Sequence, residues 1–382
     1  MKLPLISDLR TFLSKERGFL YVTMGNITTT FLGASFWLIL ASLLNVSQYG
    51  EINYIIAISS ILSTIASLGL NTTLTTYLAK GEQKLIHEAT SIILVTSIAI
   101  ATLTLTYSWI ASLLTLALTF YGISLAIILG RKAYKEYAIT SALARTLQIL
   151  LSILLYLMLG LTGITLGYTI AFTVLSYRYY MSLPNFTLNF NHIKEKINFT
   201  LHSYGLNLIN SLSTYLDKII IGILYSYHEL GLYHLAYQFL MFARIMPASL
   251  YSYLLPEEAY GQSKKQVKIL GIAFSIALFV IIVILTPLII KLTFPKYAQS
   301  TRIIQIMSLA IIPITIINIS NATLYAKEKS KYTLIGGGLF ITIQILLIPI
   351  LYKMLGIIGL AITQVVARSI QATYTWSRLK YT

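Results

Sequence analysis

The chain has 382 residues, of which 57% are hydrophobic and only 10% charged, and it contains no cysteine. A soluble protein carries about 25% charged residues, so this is the composition of a polytopic helical membrane protein. Without cysteine, structural disulfides, thiolate metal sites and cysteine nucleophiles are excluded.

The formal net charge of +16 does not point to nucleic acid, because the basic residues sit in short loops between apolar stretches, where they report topology. In chain order, the polar stretch 1–17 is short, and no small-residue cleavage site follows an apolar core, so a removable signal peptide is not expected. Twelve apolar stretches follow, each able to cover about 20 residues of bilayer. They span roughly 19–44, 52–78, 85–107, 109–130, 138–159, 161–182, 199–224, 230–255, 266–290, 301–325, 332–352 and 355–377.

Lys and Arg orient these spans. Lys2, Arg10, Lys15 and Arg17 precede the first span. Every second loop is then basic: Lys80 and Lys84; Arg131, Lys132 and Lys135; Arg178, Lys194 and Lys196; Lys264, Lys265 and Lys268; Lys327, Lys329 and Lys331; Arg378 and Lys380. The alternate loops hold only Lys291, Lys296, Arg302 and Lys353, which places both termini in the cytoplasm of a cell-membrane protein.

Residues 148–163 recur 196 positions later as 344–359, with ten of sixteen positions identical. Gln148/Gln344, Tyr156/Tyr352, Met158/Met354, Gly160/Gly356 and Gly163/Gly359 are in register, which shared Leu and Ile bias would not produce. Six spans per half leave the halves in the same orientation, related by an axis along the membrane normal. The expected architecture is all-α, with an N-terminal six-helix bundle over 1–182, a cytoplasmic linker over 183–198 and a C-terminal bundle over 199–382. The first hairpins also rhyme, Ser47–Tyr54 with His228–Tyr237. Repeated halves in a membrane protein point to a transporter.

Several segments carry a family resemblance. Leu44-Asn-Val-Ser-Gln-Tyr-Gly-Glu-Ile and Ser67-Leu-Gly-Leu-Asn-Thr-Thr-Leu-Thr-Thr-Tyr-Leu come first. Tyr215-Leu-Asp-Lys-Ile-Ile-Ile-Gly, Glu229-Leu-Gly-Leu-Tyr-His-Leu-Ala-Tyr-Gln, Pro247 and Leu255-Pro256-Glu257 follow. In this order and spacing, from about Phe19 to Arg378, the chain resembles the O-antigen-type polysaccharide-biosynthesis flippases of the multidrug/oligosaccharidyl-lipid/polysaccharide exporter superfamily. The resemblance implies a two-bundle, twelve-helix exporter that moves lipid-linked oligosaccharides by alternating access. Its partners would be a polyprenyl-(pyro)phosphate-linked glycan, membrane lipid, and the glycosyltransferases or polymerase of the same pathway.

Charges at membrane depth mark candidate sites, because they are costly there. Arg244 lies mid-span on a face shared with Tyr237, Met241, Ala248 and Tyr251, with Pro247 just beyond to kink the helix. Arg368 heads a polar stripe with Gln364, Gln371 and Thr375; Arg145 sits with Ser141, Gln148 and Ser152. The seventh span carries Asn207, Asn210, Asp217 and Lys218. Arginine suits phosphate, and amides suit sugar hydroxyls. The competing readings are ordinary: Arg145 and Lys218 snorkelling to an interface, or Arg244 and Arg368 bonding neighbouring helices. Asp217 is the only acid well inside a span and so the candidate for ion coupling, although Lys218 beside it equally suggests an ion pair. Gln148 and Gln344 read as structural interhelical bonds. Of the histidines, none has metal-ligand spacing, and His202 and His234 are embedded enough to carry a proton.

No nucleotide-binding loop is present, so no cofactor is expected and transport would draw on an ion gradient or on downhill substrate movement. A cation-coupled multidrug exporter shares the fold but favours acidic cavities, whereas the deep charges here are mostly basic. A membrane-embedded glycan polymerase or ligase would need larger outer loops, so the expectation is a transporter rather than an enzyme.

Overall fold

The computed structural model describes residues 17–379, and all regular structure among them is helical. Lys2, Arg10, Lys15 and Lys380 lie outside the described residues. In chain order the helices are α1 (Arg17–Leu43), α2 (Val46–Ser67), α3 (Leu70–Leu78), α4 (Leu85–Leu105), α5 (Trp109–Gly130), α6 (Tyr134–Leu159), α7 (Leu161–Val174), α8 (Tyr177–Tyr180) and α9 (Asn191–Glu195). They continue with α10 (Ile197–Leu224), α11 (Tyr227–Ala243), α12 (Ile245–Ala259), α13 (Lys265–Thr293), α14 (Ser300–Ser308), α15 (Ile311–Ala326), α16 (Ser330–Leu355) and α17 (Ile357–Leu379).

Each of the twelve expected spans coincides with one helix or with a helix broken in two. The breaks have local causes. Between α2 and α3, Gly69 is left-handed at φ 78°, and a Cβ there would meet the backbone of Thr200 and Tyr204 at 2.5 and 2.6 Å. Pro247 and Pro313 each lack the N–H that would bond four residues back, and α11/α12 and α14/α15 break three to four residues before them, at Arg244 and at Leu309–Ala310. The kink expected beyond Arg244 therefore falls on Arg244 itself.

Among the described residues, eight segments are long and apolar enough to cross a bilayer, by length and composition alone. The helix α11 is not among them because it stops at 17 residues, at the break on Arg244; α10 and α17 are long enough but carry polar and charged residues singled out above.

The chain divides into two compact units, 1–36 with 58–208 and 37–57 with 209–382. In the first, Leu70, Leu74 and Leu78 of α3 close on Ile86 and Ile93 of α4 and Ile123 and Ile127 of α5. Buried Glu88 on α4 holds the segment after α8, accepting from the Ile193 amide at 2.9 Å and pairing with His192 Nδ1 at 2.5 Å.

In the second unit, α2 and α11 cross at two glycines. A Cβ on Gly50 would collide with the Tyr227 carbonyl, and one on Gly231 with the Val46 carbonyl, so the two rhyming hairpin segments make the same contact in both directions.

The repeat is exact in backbone geometry. α6 and α16 begin and end 196 residues apart, as do the starts of α7 and α17. Gly160 and Gly356 adopt φ 64°, ψ −142° and φ 60°, ψ −144°. A Cβ on Gly163 would strike the Leu155 carbonyl, and one on Gly359 the Leu351 carbonyl.

Candidate functional site

The second unit holds a buried charged network on three helices. On α10, Asp217 and Lys218 are adjacent and both buried, although neighbouring helical residues normally point apart. Lys218 Nζ lies 3.2 Å from Asp217 Oδ1, donates to the Thr214 carbonyl, and sits 3.7 Å from the centroid of the Tyr237 ring. The other carboxylate oxygen accepts from Tyr233 on α11 at 2.5 Å and from Gln364 on α17 at 2.9 Å; Gln364 also donates to the Tyr233 hydroxyl at 2.7 Å. Lys218 is thus an ion-pair and cation–π partner rather than a snorkelling residue. Both oxygens of Asp217 are engaged.

One turn further along α17, Arg368 is only 9% exposed. Its guanidinium carbon lies 3.5 Å from the centroid of the Phe340 ring on α16, and Nη1 donates to Gln371 at 2.9 Å. Its Nε is buried without a hydrogen-bond partner. The whole predicted stripe Gln364, Arg368, Gln371, Thr375 is buried, as its helical spacing requires. Arg244, half-buried at the α11/α12 break, lies within electrostatic reach of Arg368 and donates to the Met241 sulfur at 3.4 Å. The break divides the expected stripe: Tyr237 is buried, whereas Met241 and Ala248 are exposed. Asn210 is exposed.

Two predicted residues belong to the first unit. Arg145 donates from Nη1 to Gln148 at 2.7 Å and to the Tyr168 hydroxyl at 3.3 Å, and lies 5.3 Å from the Phe172 ring centroid. Asn207 donates to Thr72 at 3.2 Å. Gln148 is therefore bonded within its own helix, not between helices, and Gln344 is fully buried with neither amide atom bonded. The reason lies in the repeat frame: the position of Arg145 is Ile341 in the second copy, which has nothing to offer the amide.

The sequence does not single out Tyr233 or Phe340. Tyr233 lies four residues before Tyr237 on one helical face, but among 28 tyrosines it has no distinguishing mark. His234 is embedded, as expected, among the rings of Trp37 and Tyr49 at 4.8 and 5.4 Å, and Gln238 donates to its Nε2 at 2.7 Å.

The model of a family described as polysaccharide biosynthesis protein matches residues 39–257, more than half of the chain. The chain belongs to that family. No curated protein matches it. Among solved structures it is similar to a lipid II flippase MurJ in an inward closed conformation, with TM-score 0.77, 13% identity, and coverage of 95% of this chain and 87% of that one. It is also similar to an inward-facing multidrug resistance MATE family transporter of the MOP superfamily, with TM-score 0.69, 12% identity and coverage of 95% and 98%. A eukaryotic MATE transporter, AtDTX14, aligns with TM-score 0.59 at 13% identity over 97% and 96% of the two chains. The chain is a multi-pass membrane protein with the fold of the MOP exporter superfamily.

Proposed function

We propose that the chain is a flippase that carries a lipid-linked oligosaccharide or polysaccharide precursor across the cell membrane by alternating access. The moving parts are the bundles 1–182 and 199–382, joined by the linker 183–198, with both termini cytoplasmic. The observation that carries this reading is Arg368: a guanidinium held at depth by Phe340 and Gln371, with an Nε that no protein group uses. A phosphate oxygen is the natural acceptor for that donor, and arginine can offer a second N–H in the same plane. Arg244, at a break where the helix already bends, supplies a second cation for the lipid-linked phosphate.

Lys218, Tyr237 and Gln364 support the site by holding Asp217 compensated. Asn210 and Gln371 are the polar groups assigned to sugar hydroxyls. Asp217 is the candidate for ion coupling, because one carboxylate holds both Lys218 and Gln364. No bond is broken in the substrate, so the protein acts as a transporter alongside the glycosyltransferases or polymerase of its pathway.

Proteoliposomes loaded with a fluorescent polyprenyl-phosphate-linked oligosaccharide test the proposal. The native chain should move the substrate, and Arg368→Ala and Arg244→Ala should each slow it at least about tenfold, which is about 1.4 kcal/mol of lost interaction. A native chain that is inert on the glycolipid but exports a cationic dye would replace the flippase with a multidrug exporter. Normal transport by both variants would leave the flippase and remove these two residues from its site.

A further inference from the structure

The first unit carries a groove that the transport reading does not use. It has a volume of about 710 Å³ and lies among the start of α1, the start of α6 and the α7/α8 turn. Its lining changes character along α6. Lys132 and Lys135 stand at the top, Tyr21, Tyr134 and Tyr177 come next, and Ile139, Leu143 and Leu175 form the lower wall. From Tyr134 to Leu143 the helix descends about 13 Å at about 1.5 Å per residue. Ile139 and Leu143, one turn apart, are each 49% exposed and face out of the unit. Charge, then phenol, then aliphatic surface is the order of groups met on entering a bilayer, where tyrosine sits at headgroup level.

The charge of the groove is positive for a structural reason. Its one acid, Glu136, is taken by Arg178, with Nε and Nη2 at 2.5 and 2.7 Å from the two carboxylate oxygens, and by the Tyr177 hydroxyl. No carboxylate among the described residues pairs with Lys132 or Lys135. Lys132 occupies a left-handed position at φ 57°. Its repeat counterpart Glu328 is left-handed too, at φ 59°. The turn therefore requires the backbone shape in both copies, whereas the lysine belongs to the first copy alone.

We infer that this groove binds an anionic phospholipid of the bilayer, with its phosphate on Lys132 and Lys135 and an acyl chain along Ile139 and Leu143. Basic pockets between transmembrane helices at the side carrying the basic loops are suited to such headgroups. The groove is lined by the first unit alone and does not depend on what the protein transports.

Lys132→Gly/Lys135→Gln tests the inference without threatening the fold, because glycine relieves the left-handed strain at 132. The full-length protein is released from micelles containing equal phosphatidylglycerol and phosphatidylcholine, and retained lipid is counted by native mass spectrometry. The native chain should retain phosphatidylglycerol preferentially. The double variant should bind it about 30-fold more weakly, each lysine contributing about a factor of five. Lys80→Gln/Lys84→Gln, which removes the same charge from the neighbouring loop, should bind as the native chain does. Equal retention of the two lipids by the native chain overturns the inference, as does equal loss in the control. Displacement of phosphatidylglycerol by equimolar polyprenyl monophosphate also overturns it, because the groove would then belong to the substrate.

Discussion

The two copies of the repeat, α6–α7 in the first unit and α16–α17 in the second, share a backbone and differ in how their charges are satisfied. In the first copy the cation is on the first helix, Arg145, and the ring beneath it on the second, Phe172. In the second copy the ring is on the first helix, Phe340, and the cation on the second, Arg368. Arg368 occupies the repeat position of Phe172. One helix–helix contact has thus kept its cation–π pairing while the partners exchanged helices. The exchange leaves different remainders. Arg145 finds Gln148 and Tyr168, whereas Arg368 keeps a free Nε and Gln344 is left without any partner. The second copy holds the larger unused hydrogen-bonding capacity, both amide atoms of Gln344 and the Nε of Arg368 against the Ser141 hydroxyl in the first, and unused capacity is what a ligand site needs and a scaffold avoids.

The largest test of this contrast is at Asp217. Asp217→Asn should leave Lys218 buried and uncompensated, lowering stability by about 3–5 kcal/mol. Thermal unfolding in detergent should show the Asp217→Leu/Lys218→Met double variant to be less destabilised than Asp217→Asn. If it is equally or more unstable, the network contributes more than mutual compensation.

An intermediate effect is expected at the repeated glycines. Gly163→Ala and Gly359→Ala both push a methyl group into a carbonyl of the preceding helix, and each should cost about 1–3 kcal/mol by overpacking. The two losses should agree closely; a large difference in unfolding midpoint would break the equivalence of the copies.

The smallest effect sharpens the comparison most. Gln344→Leu removes a buried amide that bonds to nothing and should stabilise by about 1 kcal/mol, whereas Gln148→Leu strips Arg145 of its acceptor and should destabilise by about 1–3 kcal/mol. Opposite signs at identical repeat positions would confirm that the copies differ in satisfaction; matching signs would sink that view.

Most of the architecture was legible in the chain. The 196-residue offset read from Gln148, Tyr156, Gly160 and Gly163 reappears in helix ends and glycine torsions, because both periodicity and backbone strain are local. The polar stripe on α17 was legible for the same reason. What the sequence could not reveal were the partners of the stripe. Tyr233 and Phe340 lie 131 and 28 positions from Gln364 and Arg368, respectively, and nothing in their local sequence separates them from other buried rings. Nor could it show that Gln148 bonds along its own helix and Gln344 not at all, since both sit in the same local motif.

By itself, then, the sequence determined membrane residence, the twelve spans, the repeat, and which residues would be expensive to bury, since each follows from composition, helical spacing and the cost of desolvating charge. Only the tertiary structure decided which of those costs are met. Asp217 and Lys218 compensate one another, Arg145 is satisfied by its neighbours, and Arg368 is held on a ring with one donor to spare. Hydrogen bonds and ion pairs act over a few ångströms between helices far apart in the chain, and that proximity exists only once the helices have packed.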